Sequence, residues 1–137
     1  MLLDTPISTI MTRDVFILGA GDPLWQAAVT FNDHSLRHAP VTSQGRLVGM
    51  LSLVDLKRVP AGALVESTAD QGREIVADLM SRDPRTVQAG DPVRDLAQLF
   101  TENDFHAVPV LEGTRIVGIV STTDLIRFFW DELEGEA

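Results

Sequence analysis

Cysteine is absent from the 137 residues. Disulfides, thiolate metal sites and cysteine nucleophiles are excluded together, and the redox compartment is left open. No apolar run approaches the roughly 20 residues a membrane-spanning helix needs. Met1 to Ile10 has neither a basic start nor a long apolar stretch, so no signal peptide is expected and the cytoplasm is the expected location. Basic side chains are scarce: 11 Lys and Arg stand against 20 Asp and Glu, a net charge of −9. Such a chain repels phosphate backbones, which argues against nucleic acid as a partner. The deficit is uneven. Residues 1–69 hold five basic and six acidic side chains, whereas residues 70–137 hold six and fourteen. Neither a Lys-bearing phosphate loop nor a nucleophile–base pair is visible, so no enzymatic activity is expected. The three histidines, His34, His38 and His106, lack the spacing of a metal site, and no structural metal is expected. What is present is globular: 45% hydrophobic and 23% charged residues, in a length that suits one compact domain or two small units sharing a core.

An internal repeat organises the chain. Met11-Thr-Arg-Asp14 returns as Met80-Ser-Arg-Asp83, and Ala20-Gly-Asp-Pro23 as Ala89-Gly-Asp-Pro92, at the same offset of 69. Pro40-Val41, Gly49, Ser52 and Asp55 recur as Pro109-Val110, Gly118, Ser121 and Asp124. Between Met11 and Arg58 no gap is needed, and 18 of 48 positions are identical. The expected organisation is a first repeat with its N-terminal segment (1–58), a linker (59–72), a second repeat (73–130) and a frayed acidic tail (131–137).

Each repeat reads as β-α-β-β-α. Val15–Leu18 and Thr86–Val87 are short strand candidates. Asp22-Pro23 and Asp91-Pro92 each read as an N-cap carboxylate followed by proline at the first helical position. Behind them Leu24, Ala27, Ala28 and Phe31, and Val93, Leu96, Ala97 and Phe100, form one apolar stripe per helix. The β-rich runs His38–Thr42 and His106–Leu111 follow, then turns at Ser43–Gly45 and Glu112–Gly113. Leu47–Leu51 and Ile116–Val120 are apolar on nearly every residue, as in strands buried on both faces. A repeat of about 60 residues is marginal alone. The expected fold is therefore mixed α/β (α+β), a pseudo-two-fold pair with its sheets packed together and clefts between its halves.

The element that carries chemistry is Gly49-Met-Leu-Ser52-Leu-Val-Asp55 and its copy Gly118-Ile-Val-Ser121-Thr-Thr-Asp124. In each a buried strand ends, a helix begins, and a hydroxyl and a carboxylate stand three residues apart. Two readings fit. Helix capping needs Ser at the N-cap and an acid at the third helical position. A nucleotide site needs the free N–H groups of a helix start for phosphate, with the serine hydroxyl beside them. The aspartate then accepts the vicinal hydroxyls of a ribose.

The order and spacing of these motifs, preceded by Ile-Met-Thr-Arg-Asp and Leu-Met-Ser-Arg-Asp, resemble the cystathionine-β-synthase (CBS) domain over about residues 7–58 and 75–130. The resemblance implies a CBS pair (a Bateman module), a regulatory unit that binds AMP, ADP, ATP, S-adenosylmethionine or NAD in clefts drawn from both repeats. Carried over, one cleft joins Ser121 and Asp124 to Arg37, His38 and the backbone near Phe16 and Ile17. The other joins Ser52 and Asp55 to His106, Ala107 and the backbone near Arg85 and Thr86. A Mg²⁺ ion can accompany ATP. Arg37 and His38 suit a phosphate tail better than His106 and Ala107 do, so the first cleft is expected to bind more tightly. A homodimer, as a disc of four repeats, is implied as well, with a separate effector protein as a further partner. The alternative function is a ligand-free structural dimerisation module.

Overall fold

The computed structural model describes residues 2–64 and 74–136. Residues 65–72 of the expected linker (59–72) lie outside the described residues; its described part includes a 3₁₀ turn at Ala61–Leu64. The chain forms two compact units, Phe16–Pro84 and Met1–Val15 with Arg85–Ala137, here termed central and terminal for their places in the sequence. In the central unit β1 (Leu18–Gly19), α1 (Leu24–His34), β2 (His38–Ser43), β3 (Arg46–Ser52) and α2 (Leu53–Lys57) are followed by α3 (Val76–Leu79) and β4 (Ser81–Arg82). Its sheet runs β1-β2-β3-β4, with β1 parallel to β2 and the other pairs antiparallel. The terminal unit holds β5 (Val87–Gln88), α4 (Val93–Glu102), β6 (Ala107–Glu112), β7 (Arg115–Ser121) and α5 (Thr122–Glu136), with the sheet order β5-β6-β7. The expected mixed α/β class with two sheets and the β-α-β-β-α order hold.

The helix stripes do what their spacing predicts. Leu24, Ala27 and Phe31 of α1 are buried with Val41 and Leu51 of the sheet. Val93 and Leu96 of α4 are buried with Val110 and Val120. Each large apolar side chain so buried contributes roughly 1.5–3 kcal/mol. The α1 helix stops at Ser35, which turns left-handed (φ 53°). Its successor Leu36 donates its N–H back to the Phe31 carbonyl at 2.9 Å, as in a Schellman closure.

Four local expectations need correction. The first strands begin later, at Leu18 and Val87, because pairing starts only where each chain enters its core; Phe16 and Ile17 are exposed. Asp22 and Asp91 do not cap α1 and α4. Their carboxylates accept the N–H of Gly19 at 2.8 Å and of Gln88 at 2.9 Å, closing a turn. The prolines themselves occupy the N-cap positions. Finally, residues 131–136 continue α5 instead of fraying. Phe128 and Phe129 pack on the terminal core and anchor that helix, and Arg127 consequently lies well inside it. Trp130, third in the aromatic run, is exposed.

The helix starts are satisfied from elsewhere. Leu24 donates its N–H to the Glu74 carbonyl, and Val93 donates to Thr5, each at 2.8 Å. Each helix is thus capped by the segment that leads into the opposite repeat. The same arms extend along the sheets. Thr12 bridges Ile119, while β4 pairs Ser81 with Met50 and Arg82 with Gly49. The two repeats therefore exchange their N-terminal arms: residues 2–15 complete the second and residues 74–84 complete the first.

Candidate functional site

The Ser-x-x-Asp elements form closed capping boxes. In the central unit the Ser52 Oγ accepts the Asp55 N–H at 3.0 Å, and the Asp55 Oδ2 accepts the Ser52 N–H at 3.1 Å. In the terminal unit the matching bonds between Ser121 and Asp124 are 3.1 and 2.9 Å. The geometry follows from extended backbone at Ser52 (φ −115°, ψ 156°) meeting the first turn of α2. Each cap engages one carboxylate oxygen. A carboxylate has about four acceptor positions on its two oxygens, and among the described residues Oδ1 of Asp55 and of Asp124 meets no other donor. Both aspartates are half-buried, not sealed.

The residues before Pro40 and Pro109 sit beside these boxes. His38 lies opposite Ser52 in the β2–β3 ladder, and Ala107 opposite Ser121 in the β6–β7 ladder. The Arg37 carbonyl accepts the Leu53 N–H at 2.8 Å, and the His106 carbonyl accepts the Thr122 N–H at 2.9 Å. Each helix start is thereby tied to the entry of the neighbouring strand. Arg37 and His106 are exposed, His38 is half-buried and Ala107 is buried. Phe16 and Ile17 precede β1, which runs parallel to β2, so they lie towards its His38 end. The Phe16 ring stacks on His34 with centroids 4.1 Å apart and planes inclined by 31°. Arg85 and Thr86 hold the matching place before β5, and both are exposed.

The structure therefore gathers Phe16, Ile17, Arg37, His38, Ser52 and Asp55 in the central unit. It gathers Arg85, Thr86, His106, Ala107, Ser121 and Asp124 in the terminal unit. Each combination expected from the resemblance draws on both units.

One partner of the motif escaped the sequence reading. A Cβ placed on Gly49 would collide with the Met80 side chain and lie 2.8 Å from the Ser81 carbonyl oxygen. Gly118 is crowded likewise by Met11 and Thr12. The glycine of each Gly-h-h-Ser element makes room for the methionine of the opposite arm. The signal was present as the paired recurrence of Met and Gly at one offset.

Among the described residues no group of three or more His, Cys, Asp or Glu side chains is placed to hold a metal ion. No helix among them is long and apolar enough to cross a membrane.

Comparison with known proteins agrees with this anatomy. Protein MJ1225 of Methanocaldococcus jannaschii is 32% identical over 130 residues, which is 90% of this chain and 46% of that protein. The chain spans less than half the length of this curated relative, and 34% of protein MJ1404 from the same organism. The CBS domain-containing protein YhcV of Bacillus subtilis is 26% identical over 121 residues, covering 87% of this chain and 81% of YhcV. The CBS domain pair of protein MJ0100, crystallised in complex with 5′-methylthioadenosine and S-adenosyl-L-methionine, superposes with a TM-score of 0.76 at 25% identity, over 93% of this chain and 98% of that one. The CBS domain model itself matches residues 7–62 and 76–131. By that double match over most of its length, the chain belongs to the CBS domain family.

Proposed function

We propose that the chain is a regulatory module without catalytic activity, which binds an adenosyl-bearing small molecule and transmits its occupancy by a change in conformation. The observation that carries this reading is the spare carboxylate oxygen of Asp55 and Asp124 beside each capping box. A ribose offers two adjacent hydroxyls to such an oxygen. The adenosyl compounds bound by the MJ0100 pair support the ligand class. AMP, ADP, ATP, S-adenosylmethionine and NAD all carry that ribose, and ATP brings Mg²⁺ with it.

Ser121 and Asp124 are proposed to act with Arg37, His38 and the backbone near Phe16 and Ile17. Ser52 and Asp55 act with His106, Ala107 and the backbone near Arg85 and Thr86. The exposed Arg37 guanidinium supplies a charge-assisted bond to a phosphate, so the first combination binds an anionic nucleotide more tightly. Ile126, Trp130 and Leu133, all exposed and spaced along one face of α5, support a homodimer that covers them. The effector that reads the module is proposed to be a separate protein, and its place of action the cytoplasm.

The closed capping boxes favour a second reading, a ligand-free dimerisation module in which Ser and Asp only cap helices. Scanning fluorimetry separates the two, because a ligand that binds the native state raises the melting temperature. The proposal expects a rise with at least one of AMP, ATP and S-adenosylmethionine. No rise with any of them at millimolar concentration supports the dimerisation module instead.

A further inference from the structure

The terminal unit holds a cavity of about 520 Å³ remote from its Ser/Asp box. Arg13, Arg115 and Glu112 line it together with the partly buried Met11, Ile116 and Val117. Glu112 and Arg115 are ladder neighbours at the hairpin end of β6–β7, whereas Ser121 closes the opposite end. Six residue steps along β7 separate the two ends by about 20 Å. The Arg13 guanidinium donates to the Ser8 carbonyl at 3.1 Å. Ser8 is in turn fixed by its N–H on the Ala89 carbonyl at 2.9 Å. Neither arginine has a carboxylate partner among the described residues, in a chain where acids outnumber bases 20 to 11. Two guanidinium groups against one carboxylate leave the cavity locally cationic.

We propose that this cavity is a second ligand site, which takes a small oxyanion. The guanidinium fork matches phosphate or carboxylate oxygens in pairs. The volume is that of a metabolite pocket. Met11 and Val117 offer apolar contact to a compact carbon body, and Glu112 accepts a hydroxyl or amine of the ligand. The arginine placement is repeated in the other half: Arg82 and Arg46 hold the same positions, and Arg82 donates to the Ala77 carbonyl at 3.4 Å. Ser43 stands there in place of Glu112, so the carboxylate distinguishes the terminal cavity.

An amide NMR titration of the full chain with inorganic pyrophosphate, and separately with citrate, tests the site. Saturable shifts are expected at Gly90, Ile116 and Val117 with at least one probe; which probe responds identifies phosphate or carboxylate. Arg115→Met weakens that binding about tenfold, and Arg115→Lys, which keeps the charge and loses the fork, weakens it less. Asp124→Asn leaves it unchanged, which separates this site from the adenosyl site. The proposal is overturned if neither probe gives saturable shifts at millimolar concentration. It is equally overturned if Arg115→Met has no effect, or if Asp124→Asn abolishes binding.

Discussion

Gly118 lies directly against Met11, a residue 107 positions earlier: a Cβ on the glycine would sit 2.7 Å from the Met11 Sδ and 2.7 Å from the Thr12 carbonyl oxygen. The N-terminal arm thereby holds the strand that ends in Ser121. Gly118→Ala is expected to destabilise the protein by about 1–3 kcal/mol through overpacking, read as a lower urea midpoint. Met11→Ala added to Gly118→Ala recovers only part of the loss. The sulfur is then gone, but the Thr12 carbonyl belongs to the backbone and cannot withdraw. Full recovery contradicts the packing described.

The two roles of the Ser/Asp boxes are separable by substitution. Ser121→Ala removes the acceptor of the Asp124 N–H and costs about 1 kcal/mol of stability. Asp124→Asn keeps a side-chain oxygen for the Ser121 N–H and loses only the charge at the helix start, so it costs about 0.3–1 kcal/mol. If the aspartate serves a ribose, that same variant loses adenosyl affinity. Calorimetric unfolding and ligand titration on the two variants together distinguish a cap from a binding group.

The β2–β3 turn is suboptimal at one residue. Gln44 and Gly45 both have positive φ, 52° and 77°, which is the type I′ pattern that favours Asn-Gly. Gln44→Asn is expected to stabilise the protein by about 0.5 kcal/mol without changing the ladder. An unchanged or lower midpoint contradicts that assignment.

Much of this anatomy was readable because its signals are local. Leu24, Ala27 and Phe31 are buried as their helical spacing requires, and Ser52 and Ser121 cap helices as their position before Asp requires. Strands β1 and β5 are two residues long, too short to show a period, and the sequence alone starts them too early. Asp22 reads equally as a helix cap or a turn closure from spacing alone. The Glu74 carbonyl, which takes the Leu24 N–H, decides between them and is 50 residues away. The arm exchange has the same character: pairing of Thr12 with Ile119 leaves no trace in either local segment. The Arg13 and Arg115 cavity likewise depends on long-range proximity.

The apolar face of α5 offers a test of assembly. Trp130 is 63% exposed, so Trp130→Asp removes little internal packing and is expected to lower stability of the isolated chain only slightly. If α5 covers itself against a second copy, the variant shifts the protein from dimer to monomer in light scattering. An identical mass for variant and parent removes α5 from the interface.

The most direct test of the central claim is isothermal titration of the parent protein, Asp124→Asn and Asp55→Asn with AMP, ATP and S-adenosylmethionine. The expected result is measurable binding of at least one ligand, weakened about tenfold by Asp124→Asn, as befits loss of a charge-assisted bond, and less by Asp55→Asn. Absence of binding by all three, or equal affinity in the parent and both variants, contradicts it.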